Sequence, residues 1–253
     1  MSEGKVKRKI IFLIFAAVMV VAGGCSTDGG DTEASRDLFA MDTYMTVTAY
    51  DKGATEAVDQ AADEISRLDQ LLSTGNEDSE IYKINQSGDG ILSEETAYLV
   101  ERSLNLYEAT DGAFDIAIYP VMKAWGFTDD NFRVPDADEL KDLLTLTDAS
   151  DISYDKDTSQ IAFKKDGMQI DFGGIAKGYT SARIMDIFRA CGIKSGLVNL
   201  GGNVQALGTK KDGSSWRVAV QDPQDTDQYL WVLSIQDKAV ITSGGYGRFF
   251  LEG

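Results

Sequence analysis

Residues 171–179 read DFGGIAKGY and decide how the middle of the chain folds. A short apolar run over residues 168–172 leads into the two glycines, and a helical pattern starts directly after them. Apolar residues then recur at spacings of three and four on one face of the expected helix, namely Ile175, Tyr179, Ala182, Met185 and Phe188. The stretch therefore predicts a strand, a tight glycine turn and an amphipathic helix.

The same nine residues carry groups that suit a phosphate ligand. Gly173 and Gly174 allow the backbone to approach a ligand closely, and the next amides lie at a helix N-terminus, where the dipole favours anions. Lys177 adds a positive charge in the first turn, and Asp171 adds a carboxylate. The pattern indicates a phosphate site that also binds a divalent metal. The alternative is plain architecture, with a glycine turn, a capping Asp171 and a solvated Lys177.

The composition restricts the classes of function. The chain has 253 residues, 43% of them apolar, which is enough for one large core or two smaller ones. Its formal charge of −17 disfavours binding to nucleic acid and to anionic lipid headgroups. An anionic ligand must therefore be bound by a local positive charge, such as a helix N-terminus, a lysine or a metal. These 253 residues contain no histidine, which excludes a Ser-His-Asp triad, a Cys-His pair and a histidine-ligated metal.

The first residues have the pattern of a lipoprotein signal. Four basic residues at positions 5–9 precede an apolar run over residues 10–21, and small residues lead to Cys25. The apolar run is too short for a membrane span, so we predict a signal peptide over residues 1–24 and a lipid on Cys25. The alternative is an uncleaved anchor with an incidental Cys25. Either interpretation places the protein at the extracytoplasmic face of the cell membrane, in the periplasm or at the cell surface. A Gly/Ser/Thr/Asp-rich segment over residues 25–36 predicts a flexible tether before a folded domain over residues 37–253.

Periodicity and turn residues predict a mixture of strands and helices that do not alternate strictly. Helices are expected at residues 54–72, 94–110, 136–144 and 175–190, the second of them with Ser93 as its N-cap. Strands are expected at residues 41–50, 194–207, 215–222 and 229–243, with a hairpin within 151–172 and another short element at 79–85. This order favours an α+β fold over a doubly wound parallel sheet.

Four further segments combine turn glycines with aromatic or polar residues. They are TDGAFD at residues 110–115, LVNLGGN at 197–203, WRVAVQDP at 216–223 and ITSGGYGRFF at 241–250. Each by itself is explained by a tight turn or by a packing aromatic residue. In this order, and together with DFGGIAKGY and the lipoprotein signal, they resemble the ApbE-type FAD:protein FMN transferases. The resemblance extends over residues 41–253.

The resemblance implies a fold and an activity. The expected fold is α+β, with mixed sheets and packed helices in the T-fold-like architecture of ApbE flavin transferases. Members are extracytoplasmic lipoproteins that use Mg²⁺ and FAD, transfer FMN to a Thr or Ser hydroxyl of a redox partner protein, and release AMP. Two alternatives use the same site. One is FAD pyrophosphatase activity, which yields FMN and AMP, and the other is a non-catalytic lipoprotein that binds FAD.

The resemblance also implies roles for single residues. Asp171 and Lys177 would hold FAD and take part in catalysis, and the Gly174 carbonyl would be a metal ligand. Met41 would contact the flavin nucleotide, in a segment that reads Met-Asp-Thr where the family has Met-Gly-Thr. Gly75 takes the position of an aromatic stacking residue, and a glycine there weakens that contact.

The TDGAFD segment would supply the rest of the predicted FAD pocket, through Ala113, Phe114 and Asp115. Either Asp171 or Asp115 could accept the proton of the incoming hydroxyl, and the sequence leaves this choice open. For Phe114, packing in the core is an equally good explanation.

One departure from the family pattern concerns the metal. The family continues with a His-Ile-x-Asp-Pro-x-Thr-Gly segment and with later Asp and Thr side chains that complete the magnesium site, and none of these follows Gly253 here. One carbonyl cannot hold Mg²⁺, which takes about six oxygen ligands. We therefore expect the sequence to be a fragment of a longer product. The alternative is a relative that lacks a complete site.

Overall fold

The computed structural model describes residues 32–129, 131–225 and 227–244. The expected signal peptide, Cys25 and residues 245–250 of the last motif lie outside these ranges. Within them, none of the helices combines the length and apolar character that a membrane crossing requires.

Helices and strands are mixed along the described part of the chain. Its α-helices are α1 (Ala54–Leu72), α2 (Glu80–Ser87), α3 (Glu94–Ala109), α4 (Tyr119–Ala124), α5 (Ala137–Leu144) and α6 (Ala176–Ala190). Its strands are β1 (Glu33–Ala40), β2 (Thr43–Tyr50), β3 (Asp89–Ile91), β4 (Ile152–Asp155), β5 (Gln160–Phe163), β6 (Ser195–Leu200), β7 (Asn203–Leu207), β8 (Trp216–Gln221), β9 (Tyr229–Ile235) and β10 (Ala239–Ile241). The α+β prediction is confirmed.

The largest sheet has five antiparallel strands in the order β1-β2-β6-β7-β10. Helices α1 and α6 pack against it and against each other. The α1 face towards the sheet is rich in small residues, which allows close packing, and Ala54, Ala57 and Ala61 are fully buried there. Phe188 of α6 fills the same core. The sheet thus fixes how α1 and α6 lie relative to each other.

A second core lies beside the first, among α2, α3 and a three-stranded sheet ordered β3-β5-β4. Phe172, which ends the apolar run before the two glycines, is buried in it. Helix α1 reaches both cores, since Ile65 belongs to the first and Leu72 to the second. A separate two-stranded sheet, β8-β9, covers part of the large sheet through Trp216.

The predicted helices are confirmed to within one residue at each end. The N-cap prediction is also confirmed, because the Ser93 hydroxyl accepts a hydrogen bond from the Thr96 amide. The hairpin within residues 151–172 is β4-β5. The short element at residues 79–85 is α2, with the Ser79 hydroxyl as its cap.

Several expectations need correction. Residues 33–36 of the expected tether belong to β1, which begins at Glu33 and pairs with β2. Residues 41–50 are not one strand, since Met41 and Asp42 form the turn between β1 and β2. Residues 168–172 are not a strand but an irregular segment. Residues 194–207 hold two strands, β6 and β7, and residues 229–243 hold β9 and β10. The sequence pattern gave no signal for β3 and α4, which are too short to show a period.

The buried face of α6 also differs from the apolar pattern. Ala182 is exposed, whereas Thr180 and Ser181 are buried. Their hydroxyls donate to carbonyl oxygens one turn earlier in the same helix, at 2.9 Å for each residue. Because this bonding satisfies the hydroxyls locally, two polar residues can face the core.

Candidate functional site

A cleft of about 210 Å³ opens at the end of the large sheet. The β1-β2 turn, the C-terminal end of α1, helix α4 and the first turn of α6 surround it. It therefore lies between elements that belong to both cores. Its walls combine apolar side chains, such as Met122 and Phe127, with charged side chains, such as Asp69 and Lys177.

The β1-β2 turn forms the first wall. Met41 and Asp42 both have left-handed backbones, with φ of 47° and 56°. Such a conformation suits a two-residue hairpin turn but is unfavourable for residues that carry a side chain. The carboxylate of Asp69, in the last turn of α1, accepts a hydrogen bond from the Met41 amide at 2.9 Å. This bond ties the strained turn to α1.

The first turn of α6 forms the second wall. Asp171 accepts a hydrogen bond from the Gly173 amide at 2.7 Å, and the Ala176 amide bonds to the Phe172 carbonyl at 2.8 Å. Lys177 follows, half-buried at the cleft. In the part of the chain that the structure describes, its ammonium has no salt bridge. Lys177 thus brings a positive charge to a cleft whose other nearby charges include Asp42 and Asp69.

The segment after α1 forms the third wall. The Ser73 hydroxyl accepts hydrogen bonds from the amides of Gly75 and Asn76 at 3.2 and 3.1 Å. A Cβ atom on Gly75 would meet no atom within 4 Å, so this position is open. Tyr119, from α4, donates to the Thr74 carbonyl at 3.4 Å. Burial raises the pKa of the Tyr119 hydroxyl, and the nearby negative charge of Asp171 raises it further.

The residues predicted for the site divide into two groups. Met41, Gly75 and Lys177 come from distant parts of the sequence and line the cleft together. Asp171 and Gly174 belong to the glycine turn at the edge of the cleft, on either side of Gly173, which does line it.

The TDGAFD residues lie behind that turn. The Phe114 ring contacts Gly174 so closely that a Cβ there would lie 2.9 Å from the ring edge. Gly174 is therefore required for packing against Phe114, and its φ is not in the left-handed region. Ala113 is exposed, and neither it nor Phe114 lines the cleft.

The Asp115 carboxylate holds two backbone segments together through hydrogen bonds. One carboxylate oxygen accepts from the Ala117 amide at 2.7 Å and the other from the Ala149 amide at 3.1 Å. Burial raises its pKa, whereas these two hydrogen bonds act in the opposite direction. With both oxygens bonded away from the cleft, Asp115 is badly placed to accept a substrate proton. Asp171, the other carboxylate that the sequence left open, belongs to the glycine turn and accepts a hydrogen bond from the Gly173 amide.

Several lining residues were missed by the sequence analysis, including Asp42, Asp69, Tyr119 and Phe127. Asp42 carried a signal, because it replaces the glycine of the family segment. Asp69 carried none, since one acidic residue on an amphipathic helix resembles any solvated one. Only the packing of α1 against the hairpin gives it a role.

A sequence profile described as the ApbE family matches residues 41–253. The chain belongs to the ApbE family. Among curated relatives, an FAD:protein FMN transferase of Treponema pallidum is 32% identical over 94% of this chain and 71% of its own length. A protein of the same name from Klebsiella pneumoniae is 31% identical over 74% of this chain.

Solved structures agree with the family assignment. The ApbE protein of Thermotoga maritima has a TM-score of 0.83 and 29% identity, over 87% of this chain and 73% of that one. The flavinyl transferase ApbE of Pseudomonas stutzeri has a TM-score of 0.75 and 27% identity, over 87% of this chain and 72% of its own. The ApbE-like α+β architecture is thereby confirmed. The chain spans 58% of the length of the Klebsiella relative.

Proposed function

We propose that this chain acts as an FAD:protein FMN transferase. It moves FMN from FAD to a Thr or Ser hydroxyl of an extracytoplasmic redox protein and releases AMP. One observation carries the proposal: Met41, Gly75 and Lys177, each assigned to FAD by the ApbE resemblance, meet at one cleft although the sequence separates them widely. The names of the relatives support the same reaction.

The polar groups of the cleft suit a pyrophosphate. Attack on phosphorus requires neutralisation of negative charge more than it requires covalent chemistry, and Lys177 supplies a cation at a helix N-terminus. Met41, Met122 and Phe127 offer apolar surface for the ring system of a flavin. The open position at Gly75 leaves space for a ring but no side chain that stacks on it.

The transfer conserves atoms and charge. The acceptor hydroxyl oxygen forms a new bond to the FMN-side phosphorus, and the bond from that phosphorus to the bridging oxygen breaks. AMP leaves with the bridging oxygen, and the hydroxyl proton passes to a base. Asp171 is the candidate base, because Asp115 has both oxygens bonded to backbone amides. If water replaced the hydroxyl, the products would be FMN and AMP.

Magnesium belongs to the proposal through the DFGGIAKGY pattern and the family resemblance. Within the described ranges, no group of three or more acidic, Cys or His side chains is arranged to bind a metal ion. The Gly174 carbonyl would be one ligand where about six oxygens are needed. The described residues therefore do not fit a complete magnesium site, and we derive no step through the metal.

The location is also part of the proposal. The basic and apolar pattern before Cys25 supports export and lipid attachment, which would hold the enzyme at the extracytoplasmic face of the membrane. The acceptor redox protein would then be exposed on the same side. Metabolic labelling with a fatty acid, lost on Cys25→Ser, tests this assignment. An unlabelled wild-type protein would contradict it.

The activity is tested by incubating the protein with FAD, Mg²⁺ and a candidate acceptor and measuring the intact mass of the acceptor. We expect the mass of one FMN to be added, and no addition with a chelator. Lys177→Met should slow transfer about 100-fold, because it removes a charge from the reacting phosphates. Lys141→Met, on the exposed surface of α5, is the matched control and should transfer at the wild-type rate.

The products separate the alternatives. FMN and AMP in solution with an unmodified acceptor would favour the pyrophosphatase. FAD that stays bound and unchanged would favour a flavin-binding lipoprotein. Transfer by Lys177→Met at the wild-type rate would remove Lys177 from the mechanism.

A further inference from the structure

Five polar side chains meet where α1, α3 and α6 pack together, on residues that do not line the cleft. We call them the helix-junction cluster, and they are Glu64, Arg67, Glu95, Tyr179 and Arg183. Arg67 bonds to Glu64 through two nitrogens at 2.8 and 2.9 Å, and to Glu95 through two contacts at 2.7 and 2.8 Å. One guanidinium therefore holds carboxylates from two helices.

Helix α6 joins the cluster through two side chains. The Tyr179 hydroxyl donates to Glu95 at 3.0 Å, and Arg183 donates to Glu64 at 3.2 Å. Each carboxylate thus faces an arginine, and Glu95 also accepts from a hydroxyl. The two carboxylates are largely buried, with 12% and 24% of their side-chain surface exposed. Two acidic and two basic side chains balance in charge. Paired, double hydrogen bonds of this kind specify geometry more strictly than a single surface ion pair.

The elements that the cluster joins are those that form the cleft. Tyr179 lies two residues after Lys177, within the first turn and a half of α6. Asp69, which holds the Met41 amide, lies two residues after Arg67 on α1. The cluster therefore fixes α6 against α1 close to the ends that carry Lys177 and Asp69. A displacement of α6 along α1 would change the distance between the cleft wall formed by the β1-β2 turn and the wall formed by the first turn of α6.

We propose that the helix-junction cluster is a positioning device, which holds the first turn of α6 so that Lys177 faces the pyrophosphate-binding part of the cleft. Its members are positioning residues, because they act through Lys177 and touch neither substrate nor reacting atoms. The inference rests on the proposed function, and its test separates the two. Small displacements of a charged group reduce transition-state stabilisation, since that stabilisation depends on a preorganised geometry.

The test uses Tyr179→Phe, which removes one hydroxyl and keeps the ring that packs against Tyr98. Tyr98→Phe is the matched control, because it removes an exposed hydroxyl from the other ring of the same pair. We expect Tyr179→Phe to lower the FMN-transfer kcat about three- to tenfold and Tyr98→Phe to leave it unchanged. In the Lys177→Met background, Tyr179→Phe should have no further effect, because it acts through Lys177.

A second readout does not depend on turnover. Acylation of Lys177, followed by peptide mass spectrometry with Lys141 as an internal reference, should be slowed by inorganic pyrophosphate. The pyrophosphate concentration that halves the acylation rate should rise about threefold in Tyr179→Phe but not in Tyr98→Phe. If protection is seen without FMN transfer, the proposed function fails and the positioning role stands.

Three outcomes would overturn the positioning role. The first is full activity and wild-type protection in Tyr179→Phe. The second is a loss of the same size in the presence and absence of Lys177, which would mean that Tyr179 only stabilises the fold. The third is a wild-type protein whose Lys177 is not protected by pyrophosphate, which would overturn the pyrophosphate role of Lys177 as well.

Discussion

Two hairpin turns lie side by side at the same end of the large sheet. Both have a left-handed backbone, but different residue types form them. The β6-β7 turn uses Gly201 and Gly202, with φ of 64° and 90°. The β1-β2 turn uses Met41 and Asp42 in the same left-handed region. Glycine adopts this conformation without penalty, whereas a residue with a side chain loses about 1 to 2 kcal/mol.

The two turns differ in residue type because they face different surroundings. Met41 and Asp42 line the cleft, so the residue types of this turn shape one of its walls. The Asp69 carboxylate offsets part of the strain by bonding to the Met41 amide. Gly201 instead faces Thr43 of the neighbouring turn, where a side chain would have no space. Of these two turns, the one at the cleft bears the strain, and the one whose neighbour leaves no space for a side chain uses glycine.

The largest expected effect comes from Gly201→Ala. A Cβ there would lie 2.3 Å from the Thr43 hydroxyl oxygen and 2.9 Å from the Thr43 Cβ, so a rotamer change cannot relieve the contact. We expect the free energy of unfolding to fall by about 3 kcal/mol, measured by urea denaturation. Gly213→Ala is the control, since Gly213 has a φ of 79° and no neighbour within 4 Å. It should cost only about 1 kcal/mol. Equal losses would mean that Thr43 does not constrain the turn.

Asp69→Ala tests what holds the strained turn. The variant removes the acceptor of the Met41 amide and should lower the free energy of unfolding by about 1 to 2 kcal/mol. It should also weaken FAD binding, measured by fluorescence titration, because Met41 loses its fixed place. Asp69→Asn keeps an acceptor oxygen and should recover most of the loss. Asp63→Ala, on the exposed side of α1, should have no effect on either quantity.

Asp42→Gly makes the two turns alike. It should raise the free energy of unfolding by about 1 kcal/mol, because the backbone strain at φ 56° disappears. Ser159→Gly relieves a similar φ of 54° far from the cleft and is the control for stability. If strain is retained for the site, only Asp42→Gly should change the affinity for FAD. Destabilisation by Asp42→Gly would show that its side-chain contacts outweigh the strain.

The smallest expected effect concerns the pH dependence of stability that Glu64 of α1 and Glu95 of α3 contribute. Hydrogen bonds from Arg67 lower the pKa values of Glu64 and Glu95 below their ordinary value of 4.5. The unfolded chain therefore takes up protons before the folded protein does. Above the pKa of the unfolded chain, these carboxylates contribute their full stability. That contribution is lost as the pH falls through their lower pKa values in the folded protein.

Denaturation at a series of acidic pH values measures this contribution. Glu64→Gln should reduce the slope of stability against pH in this acidic window. Glu56→Gln, on the same helix and bonded only to Gln60 in the described part of the chain, should leave the slope unchanged. An unaltered slope in Glu64→Gln would assign acid sensitivity to other carboxylates.

The sequence predicted α1 and α3 well because each has an apolar period that survives packing. It failed for residues 41–50, where two residues with side chains take up a turn that the sequence usually marks with glycine. It also failed for the buried face of α6, where Thr180 and Ser181 satisfy their hydroxyls within the helix. In each failure a tertiary contact or a local hydrogen bond overrides the preference of the residue type.

Much of the candidate site was predictable, since Met41, Gly75 and Lys177 meet at one cleft. The predicted roles of these three residues stay predictions, as do those of Ala113, Phe114, Asp115, Asp171 and Gly174, and the structure adds where each residue lies. The sequence could not distinguish Asp171 from Asp115 because the fold determines what each carboxylate bonds to. Those partners, at residues 117, 149 and 173, are backbone amides placed by the fold.

The sequence by itself determined the family, the α+β class and the identity of the cation at the glycine turn. Motifs and periodicity are local properties, and local properties can be read along the chain. Only the tertiary structure decided which carboxylates face the cleft, which turn bears strain and which side chains hold α6 against α1. Those outcomes depend on distances between segments far apart in sequence, which the packing of two cores around α1 establishes.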